Sequence, residues 1–235
     1  QSTSKTFLKE ANKRKNLDIA TNCLVQKLIV KDNVCTGVKA LNNGKKITIS
    51  ASKKIILSAG TINSPKLLMQ SGIGSFKELN QFGINLIKDL PGVGKNLQDH
   101  LLVRVQVASK NVSTLYNQLR WNVLVKNLFQ AFFFNSGDAS FFPLTVGGYL
   151  RSNPNLEEPD LQTHFLPGLS TGKIRFPWSR NTYLDQPGFF ANIYQLRPHS
   201  RGEILLNPKN IYLNPKIYAN YLSSHLDMEC LREGV

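Results

Sequence analysis

Seventeen residues, SAGTINSPKLLMQSGIG at positions 58–74, limit what this chain can fold into more than any other stretch. They overlap a short continuous apolar run, KKIILSAG, which suits a buried parallel strand covered on both faces. Ala59-Gly60 then makes a small-residue turn. Ser64 is a candidate N-cap with Pro65 at the first helical position, where a missing N–H costs nothing. Gly72 stands where a left-handed C-cap is needed. The segment therefore predicts a strand–turn–helix unit. Its turn would bring backbone N–H groups and a helix N-terminus to the carboxyl edge of a sheet, where open α/β sheets bind ligands. The same residues also allow a plainer reading, a well-capped helix that binds nothing.

Before this unit, NLDIATN, LVQKLIVKD, NVCTGVKAL and KITISA read as β-strands, with a two-residue turn at Asp32-Asn33 and a hairpin signal at Asn42-Asn43-Gly44. The last three alternate like a half-exposed antiparallel meander. After it, SFKELNQFGI predicts a short helix ending at Gly83. The loop LIKDLPGVGKNLQDHL follows; its Gly92-Val93-Gly94-Lys95 lacks the spacing and the Ser or Thr of a phosphate-binding P-loop. Asn96, Asp99 and His100 form a polar cluster in this loop, which local turn bonding would explain. Nine of the eleven prolines and both tryptophans lie beyond residue 100. There LLVRVQVAS reads as a strand and YNQLRWNVLVKNLFQAFFFNSG as an amphipathic helix. VGGYLRS, PDLQTHFLPG, GFFANIYQLRP, GEILL and IYLNPKIYANYL read as separated strands or turns. The pattern predicts an α/β unit followed by an α+β unit with an antiparallel sheet and helices on one side, divided between residues 103 and 104.

Composition narrows the function classes. The net charge is +14, with twelve basic residues against three acidic ones in the first sixty. The basic residues fall as singles and short runs at turns and element starts. No zinc-finger spacing, helix-turn-helix or RNA-binding aromatic motif accompanies them, so a solvated basic surface is expected and no nucleic-acid partner. Cys23, Cys35 and Cys230 share no metal or CxxC spacing; they read as reduced, buried residues of a reducing compartment, and no metal site is expected. No run reaches the length of a membrane span. The chain opens at Gln1 and stops in the helix-like CLREGV, so both ends read as cut and a fragment is expected.

Gly60-Thr61-x-x-Ser64-Pro65-x-Leu67-Leu68-x-x-Ser71-Gly72-Ile73-Gly74 resembles, at every fixed position, the second signature of the glucose–methanol–choline (GMC) oxidoreductases. LPGVGKNLQDH, the late SRG followed by NYLS, and NLDIATNCLVQKLIV resemble the same family, and VGGYLRS with PDLQTHFLP resembles its choline-dehydrogenase-like branch. The resemblance covers essentially the whole chain. It implies part of an FAD-binding Rossmann-like domain with its β-meander (1–103), followed by part of an antiparallel-sheet substrate domain (104–235). It also implies an FAD enzyme that oxidises an alcohol by hydride transfer to flavin N5. Val25 then matches the position whose backbone meets the adenine, and Ala59 and Gly60 match the turn beneath the adenosine. Asn96, Asp99 and His100 match the interdomain loop near the flavin.

The departures carry expectations too. The family's first glycine fingerprint is absent, as is the segment bearing its catalytic histidine, so no catalytic residue is assigned. His199 and His225 read as surface or structural residues. The chain is expected to be the middle of a GMC enzyme, inactive and a weak FAD binder by itself. Thr145 stands where choline enzymes of the family carry a glutamate facing the trimethylammonium group, which favours a neutral alcohol. His164 matches a substrate-pocket histidine, although a core histidine bonded to a carbonyl fits as well, and Tyr149 and Phe165 are candidates for the rest of the wall. The electron acceptor is a quinone or O₂, and a binding protein that kept the fold without catalysis is the alternative class. The expected location is cytoplasmic or peripheral to the inner membrane.

Overall fold

A computed structural model of the chain describes residues 2–109, 114–140, 146–169, 174–179 and 186–235. They group into two units, each described separately: Gln1–Leu97 with Gly202–Ala219, and Gln98–Arg201 with Asn220–Val235. The sequence reading divides the chain once, near residue 103; in the structure the segment 202–219 returns to the first unit.

The first unit opens with a short helical stretch, a π-helical Ser4–Leu8 running into α1 (Lys9–Ala11). NLDIATN forms no strand; the first strand starts after it. Strands β1 (Cys23–Lys31), β2 (Val34–Asn42) and β3 (Lys45–Ser50) form the expected antiparallel meander in the order β1-β2-β3. Both connections are two-residue loops with positive φ throughout: Asp32 (49°) and Asn33 (61°), then Asn43 (48°) and Gly44 (80°). Turns of that hand match the twist of the strands they join.

α2 (Gly60–Gln70) follows, then β4 (Ile73–Gly74), α3 (Phe76–Asn80) and β5 (Lys88–Asp89), with β4 and β5 pairing in parallel. Gly72 takes a φ of +89° just past α2, the left-handed turn expected of it. Ser71 is 1% exposed; its Oγ accepts the Leu28 N–H at 2.9 Å and donates to Leu67 O at 2.6 Å, fastening the end of α2 to β1.

In the second unit β6 (Leu102–Ala108) leads to α4 (Leu115–Gln118) and α5 (Trp121–Phe134), so the predicted single helix is broken near Leu119-Arg120. Then come β7 (Val146–Leu150), β8 (Leu161–Leu166) and β9 (Gly188–Gln195). The chain next passes through the first unit as the antiparallel pair β10 (Glu203–Leu205) and β11 (Lys216–Tyr218), and ends in α6 (His225–Gly234) of the second unit. The second unit's sheet has the order β6-β9-β8-β7, with every pairing antiparallel.

Two cores result. Met69, Leu79, Ile204 and Leu206 pack together in the first unit, with Phe82, Val93 and Ile211 against them. Leu161, Ile193 and Cys230 pack between the sheet and α6 in the second. Asp227 on α6 is 2% exposed and accepts bonds from the His199 and Ser200 amides, Ser200 Oγ and Gln195 Nε2. Burial alone would raise its pKa, but these bonds, the Ser200 hydroxyl foremost, outweigh it and hold the carboxyl at about 2.

Candidate functional site

The start of α2 departs from the sequence reading in two respects. The run IILSAG is not a strand: it pairs with no strand among the described residues, and Ile56 is 86% exposed. Apolar β-rich residues make a buried strand only where neighbours supply hydrogen bonds and cover, and here none stands beside them. The helix also begins at Gly60 rather than after Ser64, which puts Pro65 inside it. Ser64 is not the N-cap; its Oγ reaches back to accept the N–H of Ala59, the true cap residue, at 3.1 Å.

Gly60 has a φ of +81°, and a Cβ placed on it would meet nothing within 4 Å. Glycine is therefore demanded by the backbone and not by crowding. Space is open beside the Gly60 Cα at the start of α2, whose first turn has no acidic residue; unpaired N–H groups at a helix start favour an anion or a polar edge. Val25 lies at a second irregularity: the β1–β2 register shifts between Val25 and Lys27, so Gln26 is bulged out of the ladder. A bulge re-aims the strand and interrupts its pairing where Val25 stands.

Asn96 takes a left-handed φ of 61° near the end of the first unit's opening segment. Asp99 and His100 lie just inside the second unit, which begins at Gln98. Asp99 accepts the His100 N–H at 2.9 Å and the phenol of Tyr221, and the latter bond raises the Tyr221 pKa. His100 Nε2 lies 3.1 Å from Leu196 O; a carbonyl can only accept, so this nitrogen carries the proton. Tyr221 sits in the quoted NYLS, but nothing in its spacing announced Asp99 as partner.

On the second unit's sheet, Gln162 links two expected residues. Its Nε2 stands 3.0 Å from His164 Nε2 and 3.4 Å from Tyr149 Oη. The His164 ring lies 5.1 Å from that of Tyr194. His164 is thus bonded to a side-chain amide and not to a core carbonyl. Phe165, one residue on, points to the opposite face and packs its ring 5.1 Å from that of Phe189. Tyr149 and His164 share a face, and Phe165 does not join them. Thr145 lies outside the described residues. Cys230 is no nucleophile: burial first, then its bond to Asp160, pushes the thiol up to about 11. His199 and His225 are exposed, His225 beside Glu229 at 3.2 Å.

Residues 1–102 match the family profile described as GMC oxidoreductase. These residues belong to the GMC oxidoreductases. Across its full length the chain is 32% identical, over 234 residues, to a protein of Pectobacterium carotovorum named oxygen-dependent choline dehydrogenase, covering 41% of that relative. A protein of the same name in Staphylococcus saprophyticus is 36% identical over 226 residues, 96% of this chain and 39% of the relative. The chain thus spans about two fifths of the length of these curated relatives. A solved structure of Aspergillus oryzae RIB40 formate oxidase, concerned with that enzyme's FAD modification, superposes on 90% of this chain and 41% of its own, with a TM-score of 0.76 and 27% identity. The GMC fold is present in part: a piece of the FAD-binding domain with its meander, and a piece of the antiparallel-sheet domain.

FAD is the cofactor of this family. The residues fit it on one structural test: the left-handed Gly60, with open space where a side chain would project, admits a nucleotide against the backbone at the start of α2.

Proposed function

We propose that this chain is the central part of an FAD-dependent GMC alcohol oxidoreductase. The observation that carries the reading is the open, left-handed Gly60 turn at the start of α2, within the segment that matches the GMC signature. Bound FAD supplies an acceptor for the hydride that leaves the alcohol carbon. Val25, Ala59 and Gly60 hold the adenosine half against backbone, while Asn96, Asp99 and His100 belong to the loop beside the flavin. His164 and Tyr149, which share a face of the sheet, form the substrate wall with Thr145, and Phe165 on the opposite face is left out of it. Thr145 in place of a carboxylate disfavours choline, so the alcohol carries no cationic group. The relatives' names, oxygen-dependent dehydrogenase and oxidase, support O₂ as the acceptor, with a quinone as the alternative. No helix among the described residues is long and apolar enough to cross a membrane. Peripheral association is the finer proposal, through α5.

A graft tests this reading. The chain would replace the matching 234-residue stretch of the Pectobacterium carotovorum relative. The expected protein is yellow, and its flavin band bleaches when an uncharged alcohol is added without oxygen. Gly60→Val in the graft should remove the colour, because the β-branched side chain strains the left-handed turn and fills the space beside it, while circular dichroism shows the rest of the fold retained. A folded but colourless graft, or a yellow Gly60→Val variant, overturns the assignment.

A further inference from the structure

The four-stranded sheet of the second unit has one face covered by α6, through Leu161, Ile193 and the Gln195–Asp227 bond. The other face carries a straight cross-strand row of Gly147, His164, Asn192 and Arg104, each in register with the next. Arg104 Nε donates to Asn192 Oδ1 at 2.8 Å, and its guanidinium carbon lies 4.0 Å from the centre of the Phe190 ring. Asn192, 7% exposed, donates in turn to the Tyr194 phenol at 3.2 Å. The guanidinium is therefore held on one side and one edge, and its two Nη groups have no partner among the described residues. The positions that share this face, 102, 104 and 106 of β6, 190, 192 and 194 of β9, 162, 164 and 166 of β8, and 147 and 149 of β7, include no Asp or Glu. At its edge Glu157 lines a small cleft with Tyr149, but Arg151 lines the same cleft.

We infer that this face takes an alcohol bearing a carboxylate, with Arg104 as the residue that selects it. A planar cation with both Nη groups free matches the two oxygens of a carboxylate, and a face with one fixed cation and no acid repels a quaternary ammonium. The inference rests on the proposed role of Tyr149 and His164 as substrate residues and goes further: the neutral alcohol suggested by Thr145 becomes an anionic one. Arg104 and His164 are two strands apart, so their Cα atoms are roughly 10 Å from each other. A ring or short chain between hydroxyl and carboxylate suits that span, with the hydroxyl toward His164.

The test titrates isotope-labelled protein with 4-(hydroxymethyl)benzoate, benzyl alcohol and choline, and follows amide shifts and affinity by NMR. The benzoate should shift His164, Asn192 and Tyr194 and bind about five-fold more tightly than benzyl alcohol, the scale of one exposed ion pair. Salt should narrow the difference. Arg104→Met should abolish it, and Arg104→Lys, which keeps the charge without the fork, should restore only part. Equal affinity for benzyl alcohol, or tighter binding of choline, with shifts still on this face, overturns the carboxylate class while the substrate face stands. Shifts elsewhere, or none, overturn both.

Discussion

Ser71 does more for this fold than its place in a glycine-bounded motif suggests. Its hydroxyl accepts a strand amide and donates to a helix carbonyl while almost wholly buried. Ser71→Ala leaves the Leu28 N–H without its partner in a dry environment, where such a loss costs about 1–3 kcal/mol. The expected outcome is a lower Tm with α2 still helical, and slow-exchanging protection lost first at Leu28 in hydrogen-exchange measurements. An unchanged Tm would mean that water replaces the hydroxyl. Sequence reading reaches Gly72 and not Ser71 for a physical reason. A left-handed C-cap is a local demand of one helix end, whereas the Ser71 bond is decided by a strand 43 residues away. Tyr221 and Asp99 were equally out of reach, at a separation of 122.

Elements follow the same division. The meander was legible because Asp32-Asn33 and Asn43-Gly44 encode their turns within two residues. IILSAG misled because hydrophobicity and β-propensity describe a strand's preference and not its neighbours. Pro65 misled the helix start: its preference for the first turn is real, but the Gly60 turn had already begun the helix. The most unusual element is α5. Trp121, Val125, Leu128, Phe129 and Phe132 recur at helical spacing along one side and are all exposed, Phe132 by 83%. Lys126 borders this side, Arg120 precedes the helix, and residues 101–137 contain no acidic residue. An apolar stripe edged by cations suits the surface of an anionic membrane. The protein should therefore sediment with vesicles containing phosphatidylglycerol and not with purely zwitterionic ones. Phe132→Ser should weaken that binding about ten-fold, the scale of one aromatic side chain withdrawn from lipid. Equal binding to both vesicle types would remove the basic residues from the account.

At the scale of the whole molecule, acid should act through Asp227. Its pKa of about 2 lies below the unfolded value of 3.8, so its contribution is fully present above about pH 4 and is lost as the pH falls toward 2. The shift corresponds to about 2 kcal/mol. Asp227→Asn should flatten the acid limb of the stability curve while lowering stability at neutral pH, measured by urea unfolding across that range. An acid limb identical in the variant would assign the transition to other carboxylates.

The return of residues 202–219 to the first unit has a practical consequence for anyone who cuts the gene. A piece encoding only the first 97 residues would omit Ile204, Leu206 and Ile211 from the core around Met69 and Leu79. A piece encoding 98–201 would omit α6, so that Leu161 and Ile193 would face water and Asp227 would be gone from beneath the His199 and Ser200 amides. Neither half can be expressed by choosing a single stop codon. A minimal version of the first unit needs residues 1–97 joined by a designed linker to 202–219, and one of the second needs a bridge from 201 to 220.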